Sequence, residues 1–171
     1  MGFVANNAHQ MNLSDRYNSL TSREKKVLDE SWAKPFAENI FPAIREERFA
    51  PLYSSNPATR PNTPVNVIVG GMIIKEFQDM TDDELRESLM FDIRLQYALH
   101  TTSHEEQPMS DRTLSRFRLK LYEYEQETGR DLMKEEIVHQ SSQITKLMNL
   151  KPNMKRMDSL MIASACPFLE R

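Results

Sequence analysis

Cysteine is almost missing from this chain, Cys166 being the only one. A single thiol cannot close an internal disulfide, so the composition suits a reducing cytoplasm. Long apolar runs are missing too. None reaches the roughly 20 residues that span a bilayer, and the N-terminus lacks a basic-then-apolar leader pattern. Both absences point to a soluble, cytoplasmic chain with no membrane partner. Nor is there an excess of positive charge. The formal net charge is −3 over 171 residues, which excludes a uniformly basic nucleic-acid coat and leaves DNA contact to a local patch. No internal repeat is visible. What is present is 39% hydrophobic and 27% charged residues, enough to bury one core and too apolar for global disorder. Its 11 methionines sit mostly on apolar faces and read as core filling.

Residues 1–20 are polar and without period, which predicts a mobile N-terminal arm. Thr21-Ser22-Arg23-Glu24 has capping-box spacing and predicts a helix to about Ala33. Pro35 and Pro42 then cut the chain into short helical pieces over 36–40 and 43–47. The stretch 54–64 holds three prolines and must be an irregular connector, ending with Thr63-Pro64 as cap and first helical position. Residues 65–78 are apolar on nearly every side, the pattern of a central helix. Gly70-Gly71 weakens that helix intrinsically, so a close neighbour should compensate. A second capping box, Thr81 to Glu84, opens a helix directing Leu85, Leu89 and Ile93 inward. Ser110 should cap a helix over 111–126, and another should run over 131–148. The segment Met157-Asp158-Ser159-Leu160-Met161-Ile162 reads as a strand. The fold class is therefore mainly α, a compact helical bundle with a helix-turn-helix-like segment followed by one orphan β-strand.

Four basic residues, Arg112, Arg116, Arg118 and Lys120, stand against Asp111 in one helix. Arg112, Arg116 and Lys120 recur every four residues and so line one face, opposite Leu114, Phe117, Leu121 and Tyr124. A basic amphipathic helix after a helix and a loop is how helix-turn-helix proteins present a recognition helix. Basic faces are also common on solvated surface helices. His100 and His104 have a spacing that can hold a metal, yet both glutamates follow them instead of lying between, and a polar loop fits better. Cys166 beside Pro167 has no consistent histidine partner for a catalytic thiol. Asp158 in an apolar strand is expensive to bury without a cation, metal or donor. An edge or turn feature and a metal-holding carboxylate both fit it.

These residues resemble the N-terminal part of bacterial insertion-sequence transposases with an Asp-Asp-Glu catalytic triad, over about 31–164. The resemblance runs through Phe49-Ala50-Pro51-Leu52-Tyr53-Ser54, Arg60-Pro61-Asn62-Thr63-Pro64-Val65-Asn66, and Glu84-Leu85 to Phe91-Asp92-Ile93-Arg94-Leu95-Gln96-Tyr97-Ala98-Leu99. It continues in Asp111-Arg112-Thr113-Leu114-Ser115-Arg116-Phe117-Arg118 and Arg156-Met157-Asp158-Ser159. It implies a helical domain over 21–149 that contacts double-stranded DNA at transposon terminal inverted repeats, with Arg112, Ser115, Arg116, Arg118 and Lys120 as DNA-binding residues. It further implies that 150–171 is the start of an RNase H-like catalytic domain. Asp158 would be the first acid of the triad and a ligand for Mg²⁺ in a complete site. After Asp158 the only acid is Glu170, and nothing matches the two later acids. The expectation is a truncated or frameshifted chain that binds no cofactor and is catalytically incomplete alone. Its partners would be transposon ends, a second copy, or an intact transposase. The competing expectation is a decayed remnant or protein-interaction module without specific DNA affinity.

Overall fold

Asp15 accepts the Tyr17 N–H at 2.9 Å and starts the first short helix, α1 (Arg16–Ser19). Thr21 starts the second by the reciprocal bonds its spacing predicts. Its hydroxyl accepts the Glu24 N–H at 3.3 Å, and the Glu24 carboxylate accepts the Thr21 N–H at 2.7 Å. The computed structural model describes residues 1–6, 15–54, 61–103, 107–110 and 112–147. From Thr21 the chain forms α2 (Ser22–Asp29), then α3 (Ala33–Pro35) and a π-helical turn over Phe36–Ile40. Two 3₁₀ segments follow, Phe41–Ala43 and Glu46–Leu52. Prolines at 35, 42 and 51 keep every piece short, because each removes a backbone donor.

The central helix is α4 (Val65–Phe77). Val65, Val67, Val69, Ile68 and Ile74 are buried on all its sides, as an all-round apolar helix requires. Pro64 rather than Thr63 is its cap, one residue later than the spacing predicts. Phe77, the last residue, faces out at 80% exposure and is no part of the core. The glycine pair does have its close neighbours. A methyl group on Gly70 would stand 2.6 Å from Leu99 Cδ2, and one on Gly71 would stand 2.8 Å from Met109 Cε.

Thr81 opens α5 (Asp82–Phe91) with the second capping box. Asp92 ends that helix and begins the next, α6 (Ile93–Ala98), by accepting the Arg94 N–H at 2.9 Å. Leu85 and Leu89 point inward as expected, but Ile93 opens the new helix and is only half-buried. The orphaned carbonyls at the end of α5 find Gln96, whose fully buried amide donates to Leu89 O at 2.7 Å and Met90 O at 3.1 Å. The last two helices are α7 (Thr113–Thr128) and α8 (Leu132–Leu147). They pack on each other and on the Glu46–Leu52 segment, where Phe49 meets Phe117 with ring centroids 5.7 Å apart.

One expectation needs correction. The N-terminal residues do not project as a free arm where they are described. Gly2 pairs with Ser54 and Pro61, the Val4 N–H donates to Asn62 Oδ1 at 2.7 Å, and Asn6 donates to Glu46 at 3.1 Å. Phe3 adds an apolar contact, packing against the core with its ring centroid 6.0 Å from that of Tyr53. The connection inside the helix-turn-helix-like segment is longer than in the tight motif. Residues 99–112 separate α6 from α7, whereas that motif needs three or four. The predicted strand around Asp158 lies outside the described residues.

Candidate nucleic-acid interface

The helix α7 starts two residues later than its sequence suggests. Ser110 does not cap it; its hydroxyl and backbone N–H both meet the Thr113 hydroxyl at 2.9 Å, and Arg112 occupies the cap position. The far end closes on Gly129, whose φ of 71° few other residues tolerate, with its N–H on Glu125 O at 2.8 Å. Leu114 and Phe117 are buried, and Leu121 and Tyr124 half-buried, so the apolar side is the predicted one.

The five candidate side chains separate into three situations. Arg112, Ser115 and Arg116 are exposed, with the Ser115 hydroxyl donating to Arg112 O at 3.2 Å. Arg118 is turned sideways to α5, where its fork holds both Asp82 oxygens at 2.7 and 2.6 Å. That bond holds the Asp82 carboxyl below the usual carboxylate range and raises the guanidinium. A guanidinium committed bidentately to a carboxylate is poorly placed to take a phosphate as well. Lys120 lies over the Tyr53 ring, its ammonium 4.1 Å from the centroid. Burial pushes the Lys120 ammonium down, and burial pushes the Tyr53 hydroxyl up to about 12. Tyr53 therefore stays protonated at neutral pH.

Arg116 and Lys120 form one wall of a groove of about 980 Å³. Arg16 reaches it from α1, and Met1 with Pro61 and Asn62 closes another side. Among the described residues its lining contains Arg16, Arg116 and Lys120 but no Asp or Glu. None of these three cations has a carboxylate within ion-pair distance among the described residues, although Arg48, Lys75, Arg94 and Arg130 all do. Arg16 donates instead to two neutral oxygens, Met90 O at 3.2 Å and Gln96 Oε1 at 3.3 Å. Within a chain of net charge −3, one concave face is thus without acids among the described residues.

A transposase domain family (DUF772) matches residues 21–120. This chain belongs to that transposase-domain family. The matched span opens at the Thr21 cap and closes on Lys120 in the groove. No curated protein and no solved structure matches the chain. The transposase domain carries no helix, among its described residues, that is long and apolar enough to cross a membrane.

Sequence spacing could not reveal Arg16 or Tyr53 as partners of the α7 cations. Tyr53 lies in the Phe49–Ser54 word that carries the transposase resemblance, which is the one signal pointing to that segment. His100 has a packing role: its Nε2 is 3.0 Å from Ala37 O in the π-helical turn, and its ring is 4.7 Å from that of Phe41. Among the described residues no group of three or more His, Cys, Asp or Glu side chains could hold a metal ion. His104, Asp158 and Cys166 lie outside those residues.

Proposed function

We propose that this transposase domain binds its element's terminal inverted repeats as duplex DNA, through the exposed start of α7. Arg112 and Arg116 would meet backbone phosphates, with Ser115 as a hydroxyl donor between them. Membership of a transposase-domain family supports a role in transposition. The single observation that carries the DNA reading is the concentration around α7 and the groove of cations that have no ion-pair partner among the described residues, in a chain of net negative charge. Phosphates supply the missing counter-charge. Arg118 serves a different purpose here, seating α7 on α5 through Asp82. The same reading assigns the chain to the Asp-Asp-Glu class. Asp158 is then its first catalytic acid and Mg²⁺ the family's metal, while the helical part supplies recognition and a second copy or an intact transposase is its protein partner.

The test is a fluorescence-anisotropy titration with duplex from the ends of the chain's own element, beside an unrelated duplex of equal length. Preferential binding to the terminal sequence, weakened by Arg112→Ala with Arg116→Ala, is the expected result. Equal affinity for both duplexes removes the terminal-repeat assignment, and absence of binding overturns the DNA reading itself.

A further inference from the structure

We propose that the groove beside α7 receives an unpaired DNA strand, while duplex stays outside it on Arg112 and Arg116. This rests on the reading of the chain as a DNA-binding domain and concerns a different substrate form at the adjoining site. Four observations point to it.

The groove is concave and bounded by backbone. Met1 O accepts the Ser54 N–H at 3.0 Å and Gly2 O accepts the Asn62 N–H at 3.2 Å, which fixes its rim. A duplex is a convex rod with its bases stacked inside, and it can touch such a rim but not fill the hollow. The volume of about 980 Å³ matches the upper range for pockets that enclose a small ligand, room for a short run of nucleotides. Its walls are mixed in the way a strand needs. Arg16 and Lys120 are spaced across it for the strand's phosphates, Arg116 lies on the α7 side where duplex and strand would join, and Tyr53 and Met90 offer aromatic and apolar surface to bases. Finally, Lys120 is half-buried, lies over the Tyr53 ring, and has no carboxylate within ion-pair distance among the described residues. A partly desolvated ammonium gains more from an incoming phosphate than a solvated one does.

An inorganic polyphosphate shares the anionic chemistry but has no bases, and the experiment separates the two. The full chain is titrated with labelled oligothymidine, with a blunt duplex, and with the same duplex carrying an unpaired oligothymidine tail. The tailed duplex should bind about tenfold tighter than the blunt one, the scale of one stacked base with its phosphate. Lys120→Met and, separately, Tyr53→Leu should each erase most of that advantage, with folding checked by circular dichroism. Arg112→Ala should weaken both duplexes to the same degree and leave the advantage intact. No advantage for the tail, or an advantage that survives both groove variants, overturns the proposal. Displacement of oligothymidine by tripolyphosphate as effective as by unlabelled oligothymidine, at equal phosphate, also overturns it. Binding of the tail without the blunt duplex contradicts the duplex reading and upholds this one. No binding to any of the three overturns both.

Discussion

Truncating Glu136 to alanine should strongly destabilise the described part of the protein. The carboxylate is fully buried and ties α8 to the Glu46–Leu52 segment. It accepts Arg48 Nε at 3.1 Å, the Arg45 N–H at 3.3 Å and Gln140 Nε2 at 2.9 Å. Without it, the Arg48 side chain, 17% exposed, keeps only Glu135 at 2.6 Å. Breaking one partner out of a buried pair costs about 3–5 kcal/mol. Because Arg48 retains one carboxylate, the lower end, about 3 kcal/mol, is expected. That is a large share of the 5–15 kcal/mol typical of a domain. Urea denaturation followed by circular dichroism measures it as a lower midpoint. The control is Arg130→Ala, which removes the solvent-facing partner of Glu135 and should leave the midpoint nearly unchanged. A Glu136→Ala midpoint equal to that of Arg130→Ala would refute the assignment of Glu136 as a buried anchor.

Adjacent glycines should respond differently to the same substitution. Gly70→Ala drives a methyl into fully buried Leu99 and to 3.3 Å from Phe41 Cδ2, so an overpacking cost of about 1–3 kcal/mol exceeds the roughly 1 kcal/mol gained in helix propensity. Gly71→Ala crowds the flexible tip of Met109 and meets Leu85 at an ordinary 3.5 Å, so it should raise the thermal midpoint or leave it unchanged; equal effects at the two sites would contradict the packing described. Glu46 is buried at the start of α4, taking N–H bonds from Asn6 and Asn66, and burial raises its carboxyl above the ordinary range. A raised folded-state value means that stability falls as pH climbs from the ordinary carboxylate range through that raised value. Glu46→Gln should abolish this loss, read as a pH-dependent difference in urea midpoint between the two proteins. Arg118→Ala should cost under about 1 kcal/mol, since the Asp82 pair is partly solvated, and should leave DNA affinity unaltered.

Local rules made the helices legible. Thr21 and Thr81 announce their capping boxes within four residues, and the all-round apolar pattern of 65–78 marks the core helix without any partner being known. The apolar side of α7 could be read from Leu114, Phe117, Leu121 and Tyr124 for the same reason. What could not be read depends on residues distant along the chain. Arg118 looks like its neighbours in a helical projection until Asp82, thirty-six residues earlier, takes its fork. Lys120 belongs to the exposed stripe by spacing but is drawn over Tyr53 by a cation–ring contact. The N-terminal residues show no hydrophobic period because their anchorage combines hydrogen bonding to Ser54, Asn62 and Glu46 with the apolar contact of Phe3 on Tyr53. The groove is assembled from residues far apart in the chain, from Met1 and Arg16 through Tyr53 and Met90 to Lys120, so no single motif announces it.

The central claim, that this transposase domain grips DNA through the cations of α7, is tested most directly by the salt dependence of binding. Affinity for the element's terminal duplex is measured across a range of salt, for the wild type and for Arg112→Ala with Arg116→Ala. Each phosphate contact contributes a slope of about −0.9 to log affinity against log salt. The wild type should show a steep negative slope, and the double variant should bind more weakly with a slope flatter by about two contacts' worth. A double variant with unchanged slope and affinity, or a wild type whose binding ignores salt, contradicts the account.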